Sequence, residues 1–432
     1  MPRLLVATGA PLLVHPAIAE SYATALAGSS SGSDDDAERS VELSSAAVEG
    51  PELLRRFAAV SDGRSEQGRD HPVAVVLTLC AAAVLGGMRS FTAIAGWVAD
   101  VPAEVLTRLY ARPARSPSKT TLWRVLTGAD AAAVDAAVGA WLLAQATTRA
   151  GEQAEQHGGA GEEPEAPALV AIAVDGKTVR GATDAEGNQT HLLAAATHQD
   201  CLVLGQVEVG AKTNEIPMFA PLLETLAAAG ADLSEMVITA DALHSQRAHA
   251  EYLHSRGAQF VLTVKQNQPG LFAALDALPW ASTPIAARHV DTGHGRVTTR
   301  TIRVLPAPAD LPFPHVNQVW LIERYVTDPT GTPRSAVAAL GVTSLTDTRA
   351  TPEQVATFVR EHWGIEALHW LRDTVYREDN STARTGSGPR VMAALRNLAV
   401  GAIHLLGRRD ITETTRWATR FMDRPFKILN LM

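Results

Sequence analysis

The sequence predicts an α/β protein in which helices pack on the faces of a mixed sheet, a helical region comes first, and a run of strands interrupts the core. Three observations carry that expectation. Residues 168–174, ALVAIAV, and 236–240, MVITA, are short unbroken apolar runs, each followed by an aspartate, Asp175 and Asp241. Runs this short and this apolar read as strands buried on both faces. The segments around them give the order β-β-β-α-β-α-β, a meander followed by α/β crossovers. From about residue 286 to 345 the pattern turns to strands, and from 351 it returns to helix.

A chain of 432 residues leaves room for two or three domains. Its two cysteines, Cys80 and Cys201, are far apart and form no CxxC pattern, so neither a disulfide framework nor a zinc site is indicated. A reduced, cytoplasmic setting fits. The apolar run 73–85 is too short to span a bilayer, and no membrane partner is expected. Residues 3–19 loosely resemble a signal peptide, but Pro11, His15 and Pro16 interrupt the apolar run. The net charge of −8 looks wrong for a nucleic-acid binder, yet it is unevenly placed. Residues 1–50 and 151–165 each carry −5, whereas 371–432 hold eleven bases against six acids. The folded part is therefore mildly basic, which permits a polyanionic partner without demanding one.

Taken in order, residues 1–50 are small and polar after Ala27 and read as a disordered acidic tail. Residues 51–147 have a helical pattern. Within them Ser118 can cap a helix that shows Lys119, Thr121 and Arg124 to solvent. Such a helix is either the second helix of a helix-turn-helix or an ordinary amphipathic surface helix. A further helix is expected over 130–147, and 148–167 reads as a Gly-, Glu- and Ala-rich linker. The first part of the sheet core occupies 168–285. There, 191–198 and 201–209 form a hairpin, Asn214 caps a helix to about Ala229, a helix follows Ser245, and 259–265 is a third buried strand. Residues 286–345 form the β insertion, 346–407 complete the core with helices, and 408–432 read as a basic tail.

Thr351-Pro352-Glu353-Gln354 combines a capping box with proline at the first helical position. One helix is expected from there into the 370s. At about 100° per residue, Val355, Val359, His362, Glu366 and Asp373 fall within roughly 40° of one line, so Glu366 and Asp373 are expected to point inward.

Three inward carboxylates would repel one another strongly if left alone. Divalent cations remove that problem. Mg²⁺ takes hard oxygen ligands, and two such ions about 4 Å apart can clamp an in-line phosphoryl displacement. Asp175 and Asp241, on strands expected to be neighbours, are the natural core of such a site. Either Glu366 or Asp373 supplies the third ligand, because roughly 10 Å of helix separates them.

The combination VDGKTVRGA, KTNEIP, ITADALHSQ, FVLTVKQNQP, GHGR, HWGIEALHW and RTGSGPRVMAALRNLAVG resembles the H-repeat-associated, ISAs-type branch of insertion-sequence DDE transposases. The likeness covers about residues 51 to 425, with order and spacing agreeing throughout. It implies a ribonuclease-H-like core with a β insertion before the helix that bears the glutamate, and a DNA-end-binding role for 51–147. It places the catalytic, metal-binding acids on Asp175, Asp241 and Glu366, selecting Glu366 over Asp373. The chain departs from the family pattern in reading IEALHW with one residue fewer, in carrying Glu66 and Asp70 where relatives tend to be basic, and in its acidic first fifty residues.

The implied activity is Mg²⁺-dependent cutting of transposon ends and joining of the 3′-hydroxyl to target DNA, with two ions expected and Mn²⁺ able to substitute. The implied partners are double-stranded DNA, both transposon ends and target, and a second copy in a homodimer on DNA. Asp175 would bridge both metals. Lys177, Arg180, Lys265 and Arg296 would meet phosphates, and Asn267 and His294 would contact DNA beside Lys119 and Arg124. His244, His362 and Asp373 would line the site, Asp373 as a partner for Arg372 or Arg377 rather than as a ligand. The alternatives are a decayed or domesticated relative that binds without transposing, and a ribonuclease-H-type nuclease indifferent to end sequence.

Overall fold

The computed structural model describes residues 50–64, 69–157, 169–184, 186–293 and 295–432. The acidic stretch before residue 50, the end of the expected linker and His294 lie outside them.

Among the described residues six helices come first: α1 (Glu52–Ala58), α2 (Val73–Leu85), α3 (Phe91–Ala99), α4 (Ala103–Tyr110), α5 (Lys119–Gly128) and α6 (Ala131–His157). All thirteen residues of α2 are buried, which is why that run is apolar on every side. Ser118 caps α5 by accepting a hydrogen bond from the Thr121 amide at 3.2 Å. Eight residues, 111–118, join α4 to α5, longer than the three- or four-residue turn of a helix-turn-helix. Helix α6 continues ten residues past Thr147, so the first half of the expected linker is helical. The sequence there has no proline before Pro164 and is rich in Gln, Glu, Ala and Arg, which favour helix.

The sheet begins with β1 (Val170–Thr183), β2 (Gln189–Thr197) and β3 (Val203–Val209), an antiparallel meander. Helix α7 (Phe219–Ala228) leads to β4 (Met236–Ala240), and α8 (Arg247–Ser255) to β5 (Gln259–Val264). Strands β4 and β5 add in parallel beside β1. Strand β1 does not stop at Asp175 as its sequence suggests. It runs eight residues further because β2 continues alongside and supplies the ladder. What ends near Asp175 is the parallel pairing, whose last pair is Val174 with Ala240.

After α9 (Pro269–Asp276) come the insertion strands β6 (Ala287–Gly293), β7 (Arg296–Pro306), β8 (Gln318–Thr327) and β9 (Pro333–Thr343). They join the core rather than standing apart, because β9 pairs antiparallel with β5 and extends one sheet in the order β3-β2-β1-β4-β5-β9-β8-β7-β6. Val264 pairs with Leu340, so residues 333–339 of β9 overhang the C-terminal end of β5 by about 23 Å. That edge is the one on which β1 outruns β4.

The chain ends in α10 (Pro352–Glu361), α11 (Gly364–Thr374), α12 (Gly388–Leu405), α13 (Ile411–Thr419) and α14 (Asp423–Ile428). The Thr351–Gln354 capping box is formed. The single helix expected into the 370s is broken at His362 and Trp363, so the helical period does not carry across to Glu366. The expected basic tail is instead two packed helices. Phe426 of α14 is fully buried and stacks on Trp97 of α3, ring centroids 5.7 Å apart. One hydrophobic cluster runs through α1–α6, the first strands, α12 and α14, while α10 packs over the insertion in a second cluster with Trp320 and Val355. No single helix among the described residues is long and apolar enough to cross a membrane. Both cysteines are free thiols.

Candidate active site

The register of β1 with β4 sets the geometry. Since Val174 pairs with Ala240, Asp175 and Asp241 are the next residues on two neighbouring parallel strands. Asp241 begins the 3-10 turn Ala242–His244, and its Oδ1 accepts from the Leu243 amide at 2.9 Å. Asn267 braces the same turn, donating from Nδ2 to Ala242 O at 2.6 Å. Asp175 keeps a quarter of its side chain exposed, and its Oδ2 lies 3.3 Å from His369 Nδ1.

Glu366 is in the first turn of α11. It is exposed rather than inward-facing, because the break at His362 and Trp363 rotates α11 relative to α10. It still shares the field of the two aspartates. The protein mass around it raises its carboxyl above the ordinary value, the Asp175 charge raises it further, Lys265 opposes, and Asp241 adds a smaller push. Burial lowers the neighbouring His362 imidazole while Asp175 and Asp241 pull it up. His362 Nδ1 is 3.0 Å from the Thr239 hydroxyl, two residues before Asp241, and that hydroxyl is 2.8 Å from His198 Nε2. Asp175, Asp241, Glu366, Lys265 and His362 therefore form one electrostatic neighbourhood at the C-terminal edge of the sheet.

Other expected site residues are placed differently. Lys177 is buried, with Nζ 2.6 Å from Asp373 Oδ2 and 3.8 Å from Asp379 Oδ1, so it is an internal tie and not a phosphate contact. Asp373 is thereby the partner of Lys177 rather than of Arg372 or Arg377. Arg372 bonds to Glu378 instead. His244 is fully buried and bonds to Glu215. Arg180 is largely exposed, 3.8 Å from Asp379. Lys265 and Asn267 are exposed beside the cleft. Arg296 starts β7 at the tip of the overhanging ribbon. Lys119 and Arg124 are exposed on α5, which packs on the helical layer against α2, α3 and α12.

Three positions at the site carry no obvious sequence signal. His369 meets Asp175 through its Nδ1, while its buried Nε2 has no partner among the described residues. His191 and Glu215 form the second group. Glu215 accepts from His191 Nε2 at 2.8 Å and from His244 Nε2 at 3.1 Å. Burial would raise the Glu215 carboxyl, but those hydrogen bonds outweigh it and bring it down to about 2. Glu215 lies so close to β1 that a Cβ on Gly176 would sit 2.1 Å from its Oε1. The glycine after Asp175 is thus needed for this approach. A hint of His369 was available, since it follows Glu366 by three residues and shares a helix face with it.

The donor chemistry of the three acids, hard oxygens in mutual repulsion, fits a divalent cation. As they stand they are not drawn together into a ligand set. Among the described residues no three His, Cys, Asp or Glu side chains are close enough to hold a metal ion.

A family model described as the transposase DDE domain matches residues 167–401, and one described as DDE_Tnp_1-associated matches residues 54–142. Among curated proteins of Escherichia coli K12, the chain is 28% identical over 252 residues to the putative protein YbfL and 27% identical over 252 residues to the H repeat-associated putative transposase YhhI. Each match covers 54% of this chain and 63% of the relative. The putative transposase YncI of Escherichia coli O157:H7 is 28% identical over 246 residues, covering 54% of this chain and 61% of that protein. The chain thus spans about three-fifths of the length of these relatives. A cryo-EM structure of a piggyBac transposase synaptic complex with hairpin DNA aligns over 93% of this chain and 84% of that one, at 9% identity and a TM-score of 0.37, a likeness too slight to bear on this chain. The family-model match covers more than half of the sequence, and the sheet order it accompanies is that of a ribonuclease-H-like core, so this chain belongs to the family of transposases with a DDE domain.

Proposed function

We propose that the protein is a DNA transposase that cuts at transposon ends and joins the freed 3′-hydroxyl to target DNA, with Asp175, Asp241 and Glu366 as its catalytic acids. The observation that carries the reading is that Asp175 and Asp241 follow the last parallel pair of β1 and β4, with Glu366 within the field of both aspartates. The family generally uses divalent metal ions. Asp175, Asp241 and Glu366 are the residues that would hold them, here Mg²⁺ or Mn²⁺ and two in number. Bound there, such ions supply charge neutralisation at the reacting phosphate and a more acidic attacking oxygen.

The rest is the work of the chain's own groups. His369 fixes the Asp175 carboxylate from behind. Asn267 and the Leu243 amide fix Asp241. Lys265 offsets the charge at Glu366 and is exposed to meet a phosphate, as is Arg180. The 333–339 overhang of β9 extends past β5 on the edge that carries the acids, and Arg296 starts β7 at the same end of the ribbon, where a duplex would pass. DNA is the partner in this reading, held as two ends by two copies of the chain, at the nucleoid within the cytoplasm. The helical region 51–147 would engage the ends through Lys119 and Arg124.

The test is to incubate the protein with duplex carrying its flanking inverted repeats and Mg²⁺, beside Asp241→Asn. Nicking at the repeat ends by the wild type alone supports the reading. No nicking by either protein favours a relative that binds without cutting. Nicking indifferent to end sequence favours a general nuclease.

A further inference from the structure

We propose that a cavity of about 430 Å³, lined by none of the three acids, is a second phosphate-binding site that seats the backbone of bound DNA. It lies between the turn that joins α2 to α3, the start of the segment after α11, and one face of α13. Arg89 comes from the turn, Arg416 and Arg420 from α13 and the residue that caps it, and Val375 from the end of α11. All three arginines are exposed, whereas Val375 and Met88 are half-buried and Thr415 is buried. The cavity therefore has an apolar floor and a cationic rim.

Three guanidinium groups around one cavity repel one another unless an anion answers them. No carboxylate lines the cavity, and none of the three arginines makes an ion pair among the described residues. Arg372, Arg390, Arg396 and Arg409, by contrast, each pair with a carboxylate. The planar fork of a guanidinium matches two phosphate oxygens at once. The exposed Thr412 adds a hydroxyl donor on the same helix face.

The walls are built to stay in place. Thr419 donates from Oγ1 to Gly86 O at 2.6 Å, fastening α13 to the turn. Gly87 has φ +86°, and a Cβ there would sit 2.6 Å from the Thr415 methyl, so only glycine lets the turn approach this closely. Val375 is nine residues beyond Glu366, roughly 13 Å along the helix axis and, at about 100° per residue, half a turn round it. The rim therefore takes a stretch of backbone other than the one at the acids, and the ligand is a phosphodiester rather than a free anion.

This inference rests on the DNA-acting reading above, and the experiment separates the two. Binding of a 30-base-pair duplex carrying the flanking repeats is measured against salt for the wild type, for Arg416→Ala/Arg420→Ala and for Arg416→Lys/Arg420→Lys. Melting midpoints of all three check folding. The expected result is a slope of log affinity on log salt that is shallower by about 2 in the alanine variant, from about 0.9 per phosphate charge lost, with the lysine variant close to wild type. Equal slopes and affinities for wild type and alanine variant, both folded, overturn this site while leaving the transposase reading intact. A wild type that binds no duplex overturns both. A melting midpoint raised by inorganic phosphate in the wild type alone, with unchanged DNA slopes, assigns the cavity to a free anion and overturns the proposal for DNA.

Discussion

Glu378→Gln tests whether the helix that carries Glu366 is held by buried charge. Glu378 is fully buried and accepts from Arg372 Nε and Arg396 Nη1, each at 2.8 Å. Both arginines are themselves buried, and Arg372 lies on α11 six residues beyond Glu366. Burial alone would raise the Glu378 carboxyl, but Arg372 and Arg396 outweigh it and bring the value from 4.5 down to about 2. That gap corresponds to about 3 kcal/mol of stability. Because the folded value lies below the unfolded one, the contribution is complete above pH 4.5 and is lost as pH falls toward 2. Removing the charge leaves two buried guanidinium groups unanswered, a loss on the order of 3–5 kcal/mol. Urea unfolding followed by tryptophan fluorescence at pH 7 should therefore show Glu378→Gln markedly destabilised. Between pH 4.5 and 3 the wild type should converge on the variant. A difference below about 1 kcal/mol at pH 7, or parallel acid curves for the two proteins, would refute the reasoning.

Gly176→Ala would place a Cβ 2.1 Å from Glu215 Oε1, forcing that carboxylate off His191 and His244. Two hydrogen bonds to a charged group are worth about 3 kcal/mol or more together, so the melting midpoint and end nicking should fall in step; unchanged values in both would show that Glu215 is free to move. Lys177→Met should lower the melting midpoint by about 2 kcal/mol equivalent, since Asp373 loses its partner. It should leave the salt slope of DNA binding untouched, and a shallower slope would return Lys177 to the phosphate contacts. Phe426→Ala should cost about 3–5 kcal/mol in unfolding free energy, because its ring is buried against Trp97; a loss under 1 kcal/mol would mean that α14 is not part of the core.

The sheet was legible where periodicity and burial agree. MVITA and QFVLTV read as interior strands because apolar residues run through both with no charge between them, and the 351 capping box announced its helix outright. The side-by-side placement of Asp175 and Asp241 was legible because two buried strands expected to be neighbours each lead into an aspartate. What escaped depends on partners distant in sequence. Asp175 looks like a strand end because the continuation of β1 is dictated by β2, not by GKTVRG itself. Lys177 looks like a phosphate ligand until Asp373 arrives from 196 residues away. At the turn between α10 and α11, His362 bonds to Thr239, a tertiary contact that no helical period anticipates. Glu215 and His191 become a pair only once β2 and the turn before α7 are laid side by side. The basic residues of 408–432 suggested a loose tail because charge conceals Ile411, Phe426 and Leu429, whose burial becomes visible only against α2 and α3.

Phe426, Leu429 and Leu431 share a hydrophobic cluster with Leu53, Phe57 and Trp97. Helices made first in translation must wait for side chains made some 370 residues later before their interior closes. Until then Leu53, Phe57 and Trp97 lack those apolar partners. A frameshift or early stop that removes only those residues would disable the protein from its opposite terminus, however intact its three acids remain.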